Sequence, residues 1–489
     1  MMLELEPAVL VIFGLTGDLV RRKLLPALYD LARGNYLPKP FAIVGISRRG
    51  TTVETVAAAL RKTLKSRGET VDESALGTLT SAMSIVDMDI AKADDLLPLK
   101  NELEAIESRL QVCLNRLFYL AIPSTLFSQV IRRLGEAGLN ASCSHGTAES
   151  RLLIEKPFGH DLKSAQGLIA DLNQWFTEDQ IYRIDHYLAK ETAQNILTFR
   201  FENPLFNYSW DREHISSIMV TAAESIGIEG RVSFYEHMGA LRDLVQSHLL
   251  QLLALVTMDR PASMSAPAIH RAKARLLEQI DPPATEEMSE RTVRGQYQTY
   301  RAEVGDATSM IETYAALELS IDSDRWRGVP IYLRTGKALM DKATEITVVF
   351  HNQAESSHHN YLTIRIQPNE GIVLDLRIKK PGYQHAVESV QMSFCYRGSD
   401  NVGPHPDAYE RVLVDALRRD KTLFATSEEL LSSWRITEPI LKAWANDQVP
   451  LHTYTNGTWG PEAADALIAR SGGQWITASQ VICPVVTRH

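Results

Sequence analysis

A chain of 489 residues exceeds what one compact core normally supports, so two domains are expected. Hydrophobic residues make up 45% and charged residues 23%, the balance of a water-soluble globular protein. The net charge of -9 argues against a nucleic-acid partner, which needs a basic face.

From the N-terminus, short apolar or β-branched runs at 9–14, 42–47, 83–89, 116–122, 152–155 and 181–185 predict strands. Stretches with helical spacing lie between them, at 18–33, 53–66, 93–107, 125–138 and 162–176. Such alternation predicts an α/β Rossmann-type doubly wound parallel sheet, with its ligand crevice at the carboxyl ends of the strands. Residues 1–185 form this expected nucleotide-binding domain. After about residue 200 the pattern changes. Helical runs at 239–257 and 268–279 precede strand-like runs at 313–321, 345–350, 361–367, 372–378 and 390–396. Strands in series predict an α+β domain with a large, mainly antiparallel sheet, placed at residues 186–489. A sheet with one uncovered face would suit pairing of two copies. The polar stretch 352–360 reads as a surface loop.

Four cysteines occur, Cys113, Cys143, Cys395 and Cys483, and none forms a CxxC pair. A disulfide framework or a zinc site is therefore not expected, and the usage fits a reducing cytoplasm. The N-terminus lacks the basic start and apolar run of a signal peptide. The most apolar long segment, at 248–258, is too short and too polar to span a bilayer, so no membrane association is expected.

Gly14-Leu-Thr-Gly17-Asp-Leu-Val20 falls where the first strand ends and a helix begins. Gly14 would permit the tight turn, and Gly17 would let backbone approach a pyrophosphate lying on the helix N-terminus. Thr16, Asp18 and Leu19 belong to the same expected cofactor contact. Alone a GxxG is a common turn; its place after the first of six alternating strands is what makes it a dinucleotide signal. The second strand ends Ile46-Ser47-Arg48-Arg49, where an NAD-preferring domain tends to place an acidic residue. A hydroxyl and two guanidiniums suit a 2′-phosphate, so NADP is the expected cofactor, the alternative being a solvated basic loop. Asp89 would border the adenosine, and Tyr119 on the fourth strand is grouped with the cofactor residues.

Two further segments carry unusual combinations. Glu155-Lys156-Pro157-Phe158-Gly159 ends the fifth strand, and Arg183-Ile-Asp185-His186-Tyr187-Leu-Ala-Lys190-Glu191 follows the sixth. If the latter is helical, His186 and Lys190 share a face, and that cation pair would suit a phosphate monoester between them. The alternative is a solvated turn. His248 lies on a stripe with Leu241, Val245 and Leu252, so periodicity alone reads it as a core histidine.

Taken together these motifs closely resemble the glucose-6-phosphate dehydrogenase family. The likeness covers essentially the whole chain, through Gly239-Ala-Leu-Arg-Asp243-Leu-Val-Gln-Ser-His248, Val329-Pro-Ile-Tyr-Leu-Arg-Thr-Gly-Lys337, Asp407-Ala-Tyr-Glu-Arg411 and Trp459-Gly-Pro461. The resemblance implies oxidation of β-D-glucose 6-phosphate at C1 to 6-phosphoglucono-δ-lactone with NADP+, the first step of the oxidative pentose phosphate pathway. It casts His248 as general base, with Asp185 as its carboxylate. His186, Tyr187 and Lys190 take the phosphate-binding positions, and Lys156 falls between cofactor and sugar. Glu224, Asp243, Lys337 and Lys342 match further substrate contacts. A homodimer or homotetramer in the cytoplasm is implied, and no metal. A histidine of unperturbed pKa near 6.5 suits proton removal from the C1 hydroxyl, which agrees with that casting.

The sequence departs from the family pattern at Val20, Ser124, Val232-Ser233, Ala189 and Ser247, the last two flanking the expected site. None removes a reacting group. Two other readings compete: a related sugar-phosphate dehydrogenase with shifted substrate or NAD+ use, and a non-catalytic nucleotide-binding regulator.

Overall fold

The first strand along the chain has no polar face. Ala8–Phe13 is buried along its whole length, and a strand apolar on both sides must be covered on both sides. In the computed structural model, which describes residues 5–48, 50–92, 95–141, 148–352, 359–396 and 406–477, this run is the centre of a parallel sheet. Its strands are β1 (Ala8–Phe13), β2 (Phe41–Ser47), β3 (Met83–Asp87), β4 (Asn115–Leu120), β5 (Ser150–Ile154) and β6 (Ile181–Ile184). They lie in the order β3-β2-β1-β4-β5-β6, all parallel. This is the doubly wound arrangement, and its order reverses between β1 and β4, the place where such sheets bind ligands. Ala8 faces Phe41 on one side and Asn115 on the other, which fixes the register there. Each buried Val, Leu or Ile of β1 contributes roughly 1.5–3 kcal/mol.

The chain divides into two compact units, and the boundary differs from the expected one. The first unit is Met1–Gly159, Lys163–Ala189 and a returning segment, Pro406–Ser427. The second unit holds the rest. The returning segment begins with the helix Ala408–Leu417, which starts at an Asp407–Glu410 capping box. Its residues Tyr409, Val412, Leu413 and Ala416 join the apolar cluster around Leu28 and Tyr29. Buried Arg151 donates to the Ala416 carbonyl at 2.9 Å, satisfying one open end of that helix.

The second unit is built on β7 (Ile215–Ala223), β8 (Ile280–Asp281), β9 (Thr292–Tyr297), β10 (Tyr314–Ile321), β11 (Ile331–Gly336), β12 (Ala343–Phe350), β13 (Tyr361–Gln367), β14 (Gly371–Lys379) and β15 (Val387–Cys395). Farther along, β16 (Phe424–Ala425) pairs antiparallel with β6 in the first unit's sheet, and β17 (Leu451–Tyr454) completes the second. The large sheet runs β15-β14-β13-β12-β7-β11-β10-β9-β17, with β8 beside β10. It is mainly antiparallel, as expected, but β7 runs parallel to β11 and β9 to β17. The five strands expected here are β10 and β12 to β15. Sequence spacing missed β7, β9 and β11, whose burial along most of their length hides the period of two, and β8 and β17, which are too short to show one. Only the ends of the expected loop at 352–360 fall among the described residues.

The cysteine expectation needs correction. Cys113 and Cys395 are each disulfide-bonded, so sparse cysteine spacing did not exclude disulfides. Alkylation of the native protein without reductant is expected to leave both unmodified; mass spectrometry that finds either one labelled would refute this. No helix among the described residues is long and apolar enough to cross a membrane.

Candidate functional site

The glycine turn takes its shape from a close approach. Gly14 sits at φ +86°, and a Cβ there would lie 2.5 Å from the Ala121 carbonyl just past β4. The Gly17 N–H donates to Gly14 O at 2.9 Å, and the helix opens at Asp18. Its second turn, Val20–Leu24, is π-wound before the α-helix Leu25–Arg33. Above the turn lies a cleft of 390 Å³ lined by Gly14, Thr16, Gly17, Ser47, Arg48 and Asp89, with Pro123 and Leu126 opposite. Ser47 is buried and shares a hydrogen bond of 2.8 Å with Thr51, while Arg48 is exposed on the rim. The Gly50 N–H donates to Asp87 at 3.1 Å and holds that loop to the end of β3. Arg49 lies outside the described residues. Three residues grouped with the cofactor do not line the cleft: Leu19 packs against the apolar cluster around Leu28, and the other two lie elsewhere. Asp18 pairs with Arg21 and Arg22 on the surface, and Tyr119 is fully buried, its hydroxyl donating to Glu155 at 2.6 Å.

Glu155 is a residue the sequence reading quoted without a role. Burial pushes its carboxyl above the usual range, and Tyr119, Lys156 and Tyr409 pull against that shift. Tyr409 comes from the returning segment, so the Lys156 loop is anchored by residues more than 250 positions away. Tyr409 is itself pushed up by burial and by Glu155, which keeps its hydroxyl a donor.

After β6 the chain does not continue as a helix. Asp185 is buried and accepts from the Tyr187 N–H at 2.8 Å and the Leu188 N–H at 3.4 Å, an Asx-type turn. The His186 and Tyr187 rings lie 4.8 Å apart. Lys190 is extended, at φ -74° and ψ 138°, and the helix Glu191–Glu202 starts only after it. His186 and Lys190 therefore do not share a helical face. Asp185 caps a single turn, closed by the Ala189 N–H on its carbonyl at 3.3 Å, and the extended backbone of Lys190 ends it. Lys190 Nζ stands 4.0 Å from Glu370 Oε1 within the second unit.

In that unit parallel pairing brings two expected substrate residues together. β7 and β11 end in register, Ala223 beside Gly336, so Glu224 and Lys337 leave the sheet side by side. They form an ion pair, and the Lys337 ammonium lies 5.1 Å from the Tyr235 ring centroid. Burial, with Asp243, Glu312 and Glu224 close by, pushes the Tyr235 hydroxyl well up, so it stays protonated. Tyr235 therefore ties Glu224, Asp243 and Lys337 into one cluster. Lys342 is exposed, its N–H donating to Asp341.

Asp243 and His248 lie on a nine-residue π-helix, Leu241–Leu249, rather than on the α-helix the spacing predicted. Its widened turn bonds residue i to i+5, seen where the Leu250 N–H reaches Val245 O. Asp243 and His248 are five apart, and both are buried. The start of this helix is fixed by a kink at Gly239, φ 65° and ψ 173°. Glu312 accepts from the Leu241 N–H at 3.0 Å through Oε1, and its carbonyl accepts from the Ala240 N–H at 3.0 Å. Burial pushes the Glu312 carboxyl upward.

Residues 11–195 match glucose-6-phosphate dehydrogenase, NAD binding domain, and residues 197–476 match the C-terminal domain of the same family. The chain belongs to the glucose-6-phosphate dehydrogenase family. Glucose-6-phosphate 1-dehydrogenase of Bacillus subtilis (strain 168) is 38% identical, spanning 96% of this chain and 98% of its own. That of Chlamydia muridarum is also 38% identical, over 96% of each chain. A solved glucose-6-phosphate dehydrogenase in complex with its substrate glucose-6-phosphate aligns at TM-score 0.89 and 32% identity, covering 98% of this chain and 100% of the other. The Mycobacterium avium enzyme aligns at 0.84 and 35%, with the same coverage.

Membership in this family places a nicotinamide dinucleotide in the chain's N-terminal part. The groups that spacing did not flag are Tyr235, Glu312, Gly239 and Tyr409. Of these, Gly239 and Tyr409 stood inside quoted family motifs, which was the one available signal.

Proposed function

We propose that the protein oxidises β-D-glucose 6-phosphate at C1 to 6-phosphoglucono-δ-lactone with NADP+. What carries this is the cleft over the glycine turn, in a chain of this family over its full length. The fit to a dinucleotide rests on Gly14, where any Cβ would meet the Ala121 carbonyl and close the approach. NADP over NAD is supported by the end of β2, where Ser47 and Arg48 stand in place of an acidic residue. When bound, the dinucleotide supplies the acceptor for the C1 hydride. His248 takes the C1 hydroxyl proton, and Asp185 keeps the role of its carboxylate. His186, Tyr187 and Lys190 bind the substrate phosphate, and Lys156 lies between cofactor and sugar. Glu224, Asp243, Lys337 and Lys342 orient the sugar, the Glu224–Lys337 pair offering both an acceptor and a donor to its hydroxyls.

Homo-oligomer formation belongs to the same reading. Ile378, Met392 and Phe394 are large, apolar and exposed on one face of the edge pair β14 and β15, a patch that suits a second copy. A cytoplasmic location is proposed because a phosphorylated sugar does not cross membranes unaided.

The test is absorbance at the reduced-nicotinamide band, comparing glucose 6-phosphate with glucose and NADP+ with NAD+. Signal only with the phosphorylated sugar is expected; none with any pair would overturn the enzyme reading. In the same assay Arg48→Ala is expected to raise the KM for NADP+ by about tenfold while moving that for NAD+ by less than about twofold. Equal losses would mean that the 2′-phosphate is read elsewhere.

A further inference from the structure

The second unit holds another cleft, of 350 Å³, where the helix Leu250–Thr257 ends against the helix Ala266–Glu278. None of the residues given roles above lines it. Its floor is apolar: Trp326 and Leu276 are buried there, and the Trp326 indole N–H is already bound to Thr257 O at 2.7 Å. Three exposed arginines line its rim, the Arg260 guanidinium lying 6.0 Å from the ring centroid of Phe201 beside the cleft. Arg271 and Arg275 lie one turn apart on a single helix face, and Arg260 comes from the loop that follows Thr257.

Among the described residues, none of the three arginines has an ion-pair partner. Asp259, a carboxylate lining the same cleft, is engaged by Arg325 at 2.9 Å. Like charges at i and i+4 repel, although Arg275 stands in the last turn of the helix, where a cation is favoured; an anion between the two would relieve the repulsion. Guanidinium forks match phosphate oxygens bidentately. A flat apolar floor with the Gln279 amide at its edge suits a ring that is apolar on its faces and polar on its rim. The volume falls within the range of small-ligand pockets.

We propose that this cleft is a second binding site, for a small phosphomonoester carrying a heteroaromatic ring, of the nucleoside monophosphate class. The phosphate bridges Arg271 and Arg275, Arg260 closes over it, and the ring rests on Trp326 and Leu276. The site lies at the far end of the continuous helical run that carries His248.

The test is isothermal titration of the full chain with adenosine 5′-monophosphate, with NADP+ held at about ten times its KM to fill the dinucleotide cleft. One equivalent is expected to bind, with adenosine at least about tenfold weaker. The double variant Arg271→Ala, Arg275→Ala is expected to lose at least about tenfold in affinity while kcat and both KM values stay unchanged. Unchanged activity also shows that the variant folds. Equal affinity in wild type and double variant overturns the site, as does absence of binding at ~10 mM. Inorganic phosphate binding as tightly as the nucleotide overturns the ring.

Discussion

His248→Asn is expected to lower kcat by at least ~100-fold and to leave the KM for glucose 6-phosphate within a few-fold. Asparagine keeps a buried polar group of similar size but cannot accept a proton near neutral pH. His248 is only 1% exposed, so bulk water cannot take over that proton transfer easily. The expected pattern is therefore a loss in turnover rather than in binding, read from initial rates across substrate concentration. Near-normal turnover would remove His248 as the base. A large KM rise at unchanged kcat would recast it as a binding residue.

The second large effect is on the backbone that presents His248. Gly239 occupies a conformation that is essentially restricted to glycine. A Cβ there would also lie 2.3 Å from Glu312 Oε1, the atom that accepts from the Leu241 N–H. Gly239→Ala thus combines backbone strain with displacement of the carboxyl that starts the π-helix. A loss of about 3 kcal/mol or more is expected, with a fall in kcat/KM as Asp243 and His248 shift together. Gly230→Ala is the matched control. It too has positive φ, at +76°, but nothing lies within 4 Å of its would-be Cβ, so about 1 kcal/mol is expected. Urea unfolding of the two variants tests this; equal midpoints would mean that Glu312 gives way freely and does not set the helix.

Legibility in the sequence followed how local the cause was. The strand Ala8–Phe13, the turn at Gly14 and the run ending at Ser47 are local, and each was read with its neighbours in the right order. The π-winding at Leu241–Leu249 was not readable, because Leu241, Val245, His248 and Leu252 fit an α-helical stripe equally well. The bond that fixes where this helix starts comes from Glu312, some seventy residues away, at the kink. The Asp185 turn was misread as possible helix because His186 and Lys190 carry helical spacing, while only one turn forms before Lys190 extends. Most of the catalytic casting came from family motifs, since no period marks Glu224 and Lys337 as neighbours until β7 and β11 are known to run parallel.

The returning segment also sets a timetable for synthesis. The sheet containing β1 lacks its edge strand β16 and the helix Ala408–Leu417 until residue 427 has left the ribosome. At ~5–20 residues per second, the wait after residue 189 is on the order of ten to fifty seconds. During it Arg151 lacks the carbonyl it caps, Glu155 lacks one of its two tyrosines, and the apolar face around Tyr29 stays open. The nascent nucleotide-binding half waits with that apolar face uncovered, and a truncation at residue 189 would hold it in that state.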